Sequence, residues 1–271
     1  MLPFEKMHGL GNDFVVVNNL HLPEDSNEEF ESELALKICN RHFGVGADGL
    51  IIIDNPKQSQ SACKSWRFYN SDGTIAEMCG NGIRCAAKYI YEHGLSFEET
   101  KFSIETLIGD IFISLEKDDM VKVDMGKPRE ILENQELTIK DFYFNYTFVS
   151  MGNPHAVSFW GHDLSSVKNY GPEIEVHSNF PKKTNVEFAR IADKNLIDLI
   201  VWERGCGFTN ACGTGACATA VASILKGYNN QDQDITVKLP GGPLIIRWDS
   251  VTESVFMTGE AKLVFMGYYN L

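Results

Sequence analysis

The chain is short of basic residues: 24 Lys and Arg stand against 37 Asp and Glu, a net charge of −13 at pH 7 with a pI near 5.0. That balance argues against a nucleic-acid or anionic-membrane partner, since either needs a basic footprint. A small anionic substrate stays open, because a local site can be positive within an acidic protein. No apolar run approaches the roughly 20 residues that span a bilayer. Met1 to Asn12 lacks the basic stretch and apolar run of a signal peptide. Metal signatures are missing as well: there is no CxxC pair and no HExxH, so a zinc site would have to be assembled from Cys206, Cys212 and Cys217 alone. Gly213-Thr214-Gly215 lacks the lysine of a P-loop. Seven cysteines, an odd number without framework spacing, suit a reducing cytoplasm better than a disulfide-stapled secreted domain. With 44% apolar and 23% charged residues in 271, the composition is that of a globular protein of one large or two ordinary domains.

What is present is a pair of similar stretches. Cys79-Gly80-Asn81-Gly82 opens an apolar run that stops at Gly94, and Cys212-Gly213-Thr214-Gly215 opens another that stops at Gly227. Each reads as a helix start: a thiol, then small residues with free backbone N–H groups, then a helix closed by glycine. Such a start seats an anion and favours thiolate over thiol. In the first helix Arg84, Lys88 and Glu92 line one stripe and predict a single wet edge, whereas the second, Ala216 to Lys226, is small or apolar almost throughout.

Elsewhere the pattern is mostly strands. Phe14 to Val17 follows the turn His8 to Asp13, and Ser26 is placed to cap a helix through Ile38 with Phe30, Leu34 and Ile38 inward. Leu50 to Ile53 and Trp66 to Tyr69 precede the first thiol helix. Short strands follow at Phe102–Glu105, Ile111–Leu115, Val121–Asp124 and Phe142–Val149, the last ending in a turn from Met151 to His155. Further strands are read at Asn185–Ala189, Leu196–Trp202, Val237–Leu239, Leu244–Trp248, Val255–Met257 and Leu263–Met266. Cys39, Cys63, Cys85 and Cys217 read as packing residues, and His8, His42 and Asp72 as structural ones.

An internal repeat orders these elements. Gly11-Asn12 is echoed by Gly152-Asn153, Asp48 by Asn185, Asn70 by Glu203, and Cys79 by Cys212. Four matches in one order imply two α+β halves related by a pseudo-twofold axis. Each would be a mostly antiparallel, strand-rich barrel around one central helix, with the active site in the cleft between them. The expected halves are residues 1–118, with 260–271 returning to them, and 119–259.

These motifs resemble the diaminopimelate epimerase family, whose members invert one α-carbon of LL-diaminopimelate without a cofactor. The matching segments are Lys6-Met7-His8-Gly9-Leu10-Gly11-Asn12-Asp13-Phe14, Met78-Cys79-Gly80-Asn81-Gly82-Ile83-Arg84-Cys85, Gly152-Asn153-Pro154-His155, Thr184-Asn185-Val186, and Glu203-Arg204-Gly205 with Ala211 to Cys217. The resemblance implies Cys79 and Cys212 as two bases, one taking a proton from one face of the carbon while the other delivers to the opposite face. It implies His155 and Glu203 beside the thiols, and first-turn N–H groups of Gly80, Asn81, Gly213 and Thr214 around the carbanion. Arg204 would pair with the distal carboxylate, and Asn12, Asn70, Asn153 and Asn185 would complete recognition of diaminopimelate. No metal and no cofactor is expected, and family members are often homodimers. The sequence departs from the pattern at Phe208, where the family usually has glutamate, and at Gly49, where some members place glutamine. The competing reading within the same fold is a proline racemase-like enzyme, whose motifs CGHG and DRSPCGTG differ from the CGNG and Glu203-Arg204-Gly205 present here.

Overall fold

The computed structural model describes residues 1–96, 100–139 and 142–271. They divide into two compact units, 1–123 with 259–271, and 124–258. The first holds β1 (Leu2–Gly9), β2 (Asn12–Asn18), α1 (Glu28–Ile38), β3 (Gly49–Asp54), β4 (Lys64–Asn70), β5 (Ile75–Ala76), α2 (Gly80–Glu92), β6 (Lys101–Thr106), β7 (Gly109–Leu115) and β8 (Met120–Asp124). The second holds β9 (Glu130–Ile139), β10 (Phe142–Ser150), β11 (Pro154–Ser158), α3 (Leu164–Glu175), β12 (Asn185–Asp193), β13 (Leu196–Glu203), β14 (Gly207–Thr209), α4 (Gly213–Leu225), β15 (Ile235–Leu239), β16 (Gly242–Trp248) and β17 (Val255–Glu260). Last, β18 (Lys262–Tyr269) pairs antiparallel with β1. The architecture is α+β and strand-rich. β8 lies beyond the boundary expected at residue 118, but its ladder with β7 (Ile113 to Val123, Leu115 to Val121) holds it in the first unit.

The pairing pattern of the first unit repeats in the second. Antiparallel β1–β2 is matched by β10–β11, and parallel β2–β3 by β11–β12. Antiparallel β3–β4 and β4–β5 are matched by β12–β13 and β13–β14, and parallel β4–β6 by β13–β15. Register fixes the equivalences residue by residue. Phe14 pairs with Gly49 where His155 pairs with Asn185, so Gly49, not Asp48, is the counterpart of Asn185. Phe208 opposite Trp202 stands where Ile75 stands opposite Tyr69.

Each unit wraps strands around one buried helix. α2 packs on β1 to β4 and α4 on β10, β11, β12, β15 and β16. α4 is buried from Gly213 to Ser223 except at Thr214, as its small apolar sequence requires. On the other face of each sheet α1 covers β3 and β4, and α3 covers β12 and β13. Leu34, Ile38, Leu50 and Ile52 belong to the core of the first unit, and Phe144, Val167, Ile174, Val186 and Phe188 to that of the second. Among the described residues no helix is long and apolar enough to cross a membrane.

Several local expectations are corrected. α1 is capped by Asn27, whose Oδ1 accepts from the Phe30 N–H at 2.9 Å; Ser26 sits one residue too early. The wet edge of α2 is largely dry. Arg84 is fully buried and Lys88 nearly so, because the guanidinium donates to the Gly80 and Glu260 carbonyls and to Asn81 Oδ1, and the ammonium meets Asp119 at 2.7 Å. His155 lies in strand β11, not in a turn. The sequence is read as holding no G-x-G-x-x-G, yet Gly44 to Gly49 spells one; it leads from α1 into β3, the reverse of the strand-to-helix order that holds a dinucleotide.

Candidate functional site

Both thiols cap helices, and they do so in the same way. Cys79 has φ −143° and ψ 113° and its Sγ accepts the Gly82 N–H at 3.4 Å; Cys212 has φ −125° and ψ 107° and accepts the Gly215 N–H at 3.4 Å. Asn, Asp and Ser are the usual caps, so a thiol is an uncommon cap that puts an acid/base group at each helix start. In each helix the first two amides, of Gly80 and Asn81 or of Gly213 and Thr214, precede the first intrahelical bond (Ile83 N–H to Cys79 O, Ala216 N–H to Cys212 O). Those amides mark an anion seat at each start.

In the first unit the seat is built around Asn12. Its Oδ1 accepts from Asn81 Nδ2 at 3.1 Å and lies 3.9 Å from Cys79 Sγ, while its Nδ2 donates to Asp48 at 2.6 Å. Asp48 is held in turn by Arg41 at 2.7 Å, and Arg41 grips Asp13 through both oxygens. Hydrogen bonds from Arg41 and Lys6 outweigh burial and hold the Asp13 carboxyl well below the usual carboxylate range. Asn70 ends β4 half-buried, with its amide on Thr74 at 3.0 Å.

The second unit uses the same plan with different chemistry. Asn153 Nδ2 donates to Thr214 Oγ1 at 3.1 Å, as Asn12 is bonded to Asn81, and Thr214 Oγ1 lies 3.7 Å from Cys212 Sγ. His155 Nε2 meets Asn153 Oδ1 at 3.0 Å, and His155 Nδ1 meets Glu187 Oε1 at 2.6 Å. Glu203, half-buried at the end of β13, accepts from Thr209 and from the Cys212 thiol. Burial raises its pKa against those bonds. Asn185 is occupied in support, donating to the Pro154 carbonyl at 2.8 Å and accepting the Arg204 N–H at 3.0 Å. The Arg204 side chain is exposed and donates to the Lys182 carbonyl at 3.2 Å.

The expectation that a helix start favours thiolate is overturned at Cys212. Burial first, then the charges of Glu203 and Glu187, push that thiol well above its ordinary value, and the Gly215 N–H and Thr214 hydroxyl do not offset them. Cys212 therefore carries a proton at neutral pH. Cys39 and Cys85, both buried, are pushed up to about 12 by desolvation, in keeping with packing roles. Cys206 is exposed while Cys212 and Cys217 are buried, and among the described residues no three His, Cys, Asp or Glu gather as a metal site.

Glu187 was not foreseen among the site residues. Its signal is a charge between Val186 and Phe188 in an otherwise apolar strand. Val186 and Phe188 pack in the core with Val167 and Ile174 of α3, so alternation turns Glu187 to the α4 side. A Cβ built on Gly215 would sit 2.9 Å from Glu187 Oε1 and 3.1 Å from Cys212 Sγ, so only glycine admits both groups.

Set beside known proteins, the sequence matches the family Diaminopimelate epimerase over residues 4–131 and 147–264. It is 45% identical to a diaminopimelate epimerase of Heliobacterium modesticaldum, covering 98% of this chain and 99% of that protein. Against one from Carboxydothermus hydrogenoformans it is 46% identical over the whole of both chains. The fold matches a phenazine biosynthesis protein of the PhzF family from Bacillus anthracis (TM-score 0.75, 15% identity, 100% and 99% of the two chains). It also matches a hydroxyproline epimerase from Agrobacterium vitis (TM-score 0.72, 14% identity, 98% and 91%).

Proposed function

The chain belongs to the diaminopimelate epimerase family, and from that membership we propose how its two thiol-capped helices invert a carbon. The reaction is the epimerisation of LL-diaminopimelate to the meso form, in lysine and cell-wall precursor synthesis. One observation carries the mechanism: each unit presents a cysteine at the N-cap of its central helix with the same backbone and the same Sγ to N–H bond.

Family membership implies that the two thiols act on one α-carbon, one at each of its faces. Cys212, which keeps its proton at neutral pH, is the acid, and Cys79 is the base. For the reverse turnover the roles exchange, and the pair titrates as one system. Loss of the α-proton spreads charge into the adjacent carboxylate. First-turn N–H groups of Gly80, Asn81, Gly213 and Thr214 are aimed where that charge grows, which stabilises the transition state over the ground state. Glu203, hydrogen-bonded to the Cys212 thiol, holds its protonation state, and His155 acts on the same thiol through Asn153 and Thr214. Arg204 takes the distal carboxylate with its planar fork. Asn12, Asn70 and Asn153 complete substrate binding, while Asn185 fixes the Arg204 backbone.

The protein acts in the cytoplasm, where both thiols stay reduced, and without a cofactor. It forms a homodimer through β18, whose Val264 (55%), Met266 (64%) and Tyr268 (71%) leave apolar surface exposed on a strand already paired with β1. Supplying diaminopimelate and proline separately to the wild type and to Cys79→Ala and Cys212→Ala variants tests the reading. It expects turnover of diaminopimelate only, and loss of that turnover in both variants. Proline turnover, or a variant as active as the wild type, would overturn it.

A further inference from the structure

The repeat provides an internal control for the His155–Glu187 pair. By register Phe14 and Ile51 occupy in the first unit the places of His155 and Glu187 in the second, and all four are fully buried. The fold is therefore content with two apolar side chains there. Placing an imidazole and a carboxyl in the same slot costs desolvation, and Glu187 Oε2 has no hydrogen-bond partner among the described residues. Architecture does not ask for the pair. The neighbourhood of Cys212 gives a reason for it.

The bonding pattern fixes how many protons the pair holds. Asn153 gives its N–H to Thr214 and its oxygen to His155, so His155 Nε2 must carry a hydrogen. Nδ1 and Glu187 Oε1, 2.6 Å apart, then share one proton: either imidazolium faces carboxylate or imidazole faces carboxylic acid. Both forms have no net charge. Moving the proton between them alters the donor strength at Nε2, and through Asn153 and Thr214 the field at Cys212 Sγ, with no ion entering or leaving the site.

We infer that Glu187 is a positioning residue of the epimerase. By sharing one proton with His155 Nδ1 it fixes the ring as an Nε2–H donor to Asn153, and so sets the hydrogen bonding and charge that the Cys212 thiol meets during proton delivery. The inference rests on the reading of Cys212 as one of the two acid/base thiols. The titratable groups facing the pair are Glu203 from β13 and Cys212 from the start of α4; its neighbours on β10 and β12, Val149 and Asn185, bring none.

The test is nitrogen-15 NMR of the histidine rings in the intact enzyme, with kinetics of Glu187→Gln. In the wild type the nitrogen-15 shifts of the His155 ring, assigned by its loss in His155→Asn, should show an Nε2–H donor and an Nδ1 whose hydrogen is shared with Glu187. In Glu187→Gln the amide donates to Nδ1, the shared proton is lost, and the ring stays neutral. Its kcat should fall about tenfold or more with KM within about twofold, and the alkaline limb of the kcat profile should move. Glu187→Asp should recover part of the spectrum and of the rate. A wild-type ring without a hydrogen on Nε2, or with no hydrogen shared at Nδ1, overturns the inference, and this needs no variant to fold. A folded Glu187→Gln enzyme with unchanged kcat and pH profile also overturns it. If Cys212→Ala remains fully active, the reading of the thiols fails instead; if Cys212→Ala is dead while Glu187→Gln is normal, only the inference fails.

Discussion

Arg84, fully buried in α2, donates from Nη2 to Asn81 Oδ1 at 2.9 Å, and Asn81 in turn donates to Asn12 beside Cys79. The guanidinium also holds the carbonyls of Gly80 and Glu260, so one side chain ties the start of α2 to the returning C-terminal segment. Arg84→Ala leaves three acceptors without that donor and opens a cavity. Each hydrogen bond to a charged group is worth about 1.5–3 kcal/mol, so stability should fall by about 3 kcal/mol or more. Urea denaturation measures it, and kcat should drop with it as the amides of Gly80 and Asn81 lose their aim. A stability within about 0.5 kcal/mol of the wild type would contradict this account.

The sequence made the two thiol helices readable because small residues after a cysteine, an apolar run and a closing glycine are local signals. The repeat made the α+β class readable for the same reason. What it hid was tertiary. Arg84 looked solvent-facing because a charge every fourth residue is the pattern of an exposed stripe, and only the backbone carbonyls it meets explain its burial. His155 looked like a turn residue after proline, whereas β10 and β12 flank it in a sheet. β9 and α3 were missed; Glu, Asn and Gln interrupt the first, and Pro172 with Gly171 the second. Gly171 is there because a Cβ would meet Trp202 at 2.7 Å, a contact that no local pattern announces.

Glu203 gives a pH-dependent prediction. Burial raises its folded pKa above the ordinary 4.5, so the protonated form is favoured more in the folded chain than in the unfolded one. Its contribution to folding is full below the unfolded value and is lost as pH rises through the folded one. Glu203→Gln should therefore be more stable than the wild type near pH ~8 and no more stable near pH ~4. Its kcat should nevertheless fall by about 10²–10⁴-fold, since the Cys212 thiol loses a proton partner. Thermal melts at the two pH values check the sign. A variant destabilised at the higher pH would contradict it.

The surroundings of Gly49 leave little room for a side chain. A Cβ at that position would meet Phe68 Cε2 at 2.4 Å and the Tyr69 carbonyl at 2.7 Å, and Phe68 is itself packed edge-on against Phe14. Gly49→Ala should cost about 1–3 kcal/mol by overpacking. Glutamine should cost more. Combining Gly49→Ala with Phe68→Ala should give a loss smaller than the sum of the two single losses, because the smaller side chain removes the ring that clashes. Additive losses in denaturant titrations would show that the ring is not the obstacle.

Solvent isotope distribution at early conversion tests the two-thiol account most directly. The enzyme is incubated with LL-diaminopimelate in heavy water, with no added cofactor, and product and unreacted substrate are separated after the first few turnovers. Two bases on opposite faces predict deuterium at the inverted carbon of the meso product and almost none in recovered LL substrate, with the labelling abolished in Cys79→Ala and Cys212→Ala. Recovered substrate labelled as fast as product, or meso product retaining the original hydrogen, would mean that a single group handles both faces, and the roles given to Cys79 and Cys212 would be wrong.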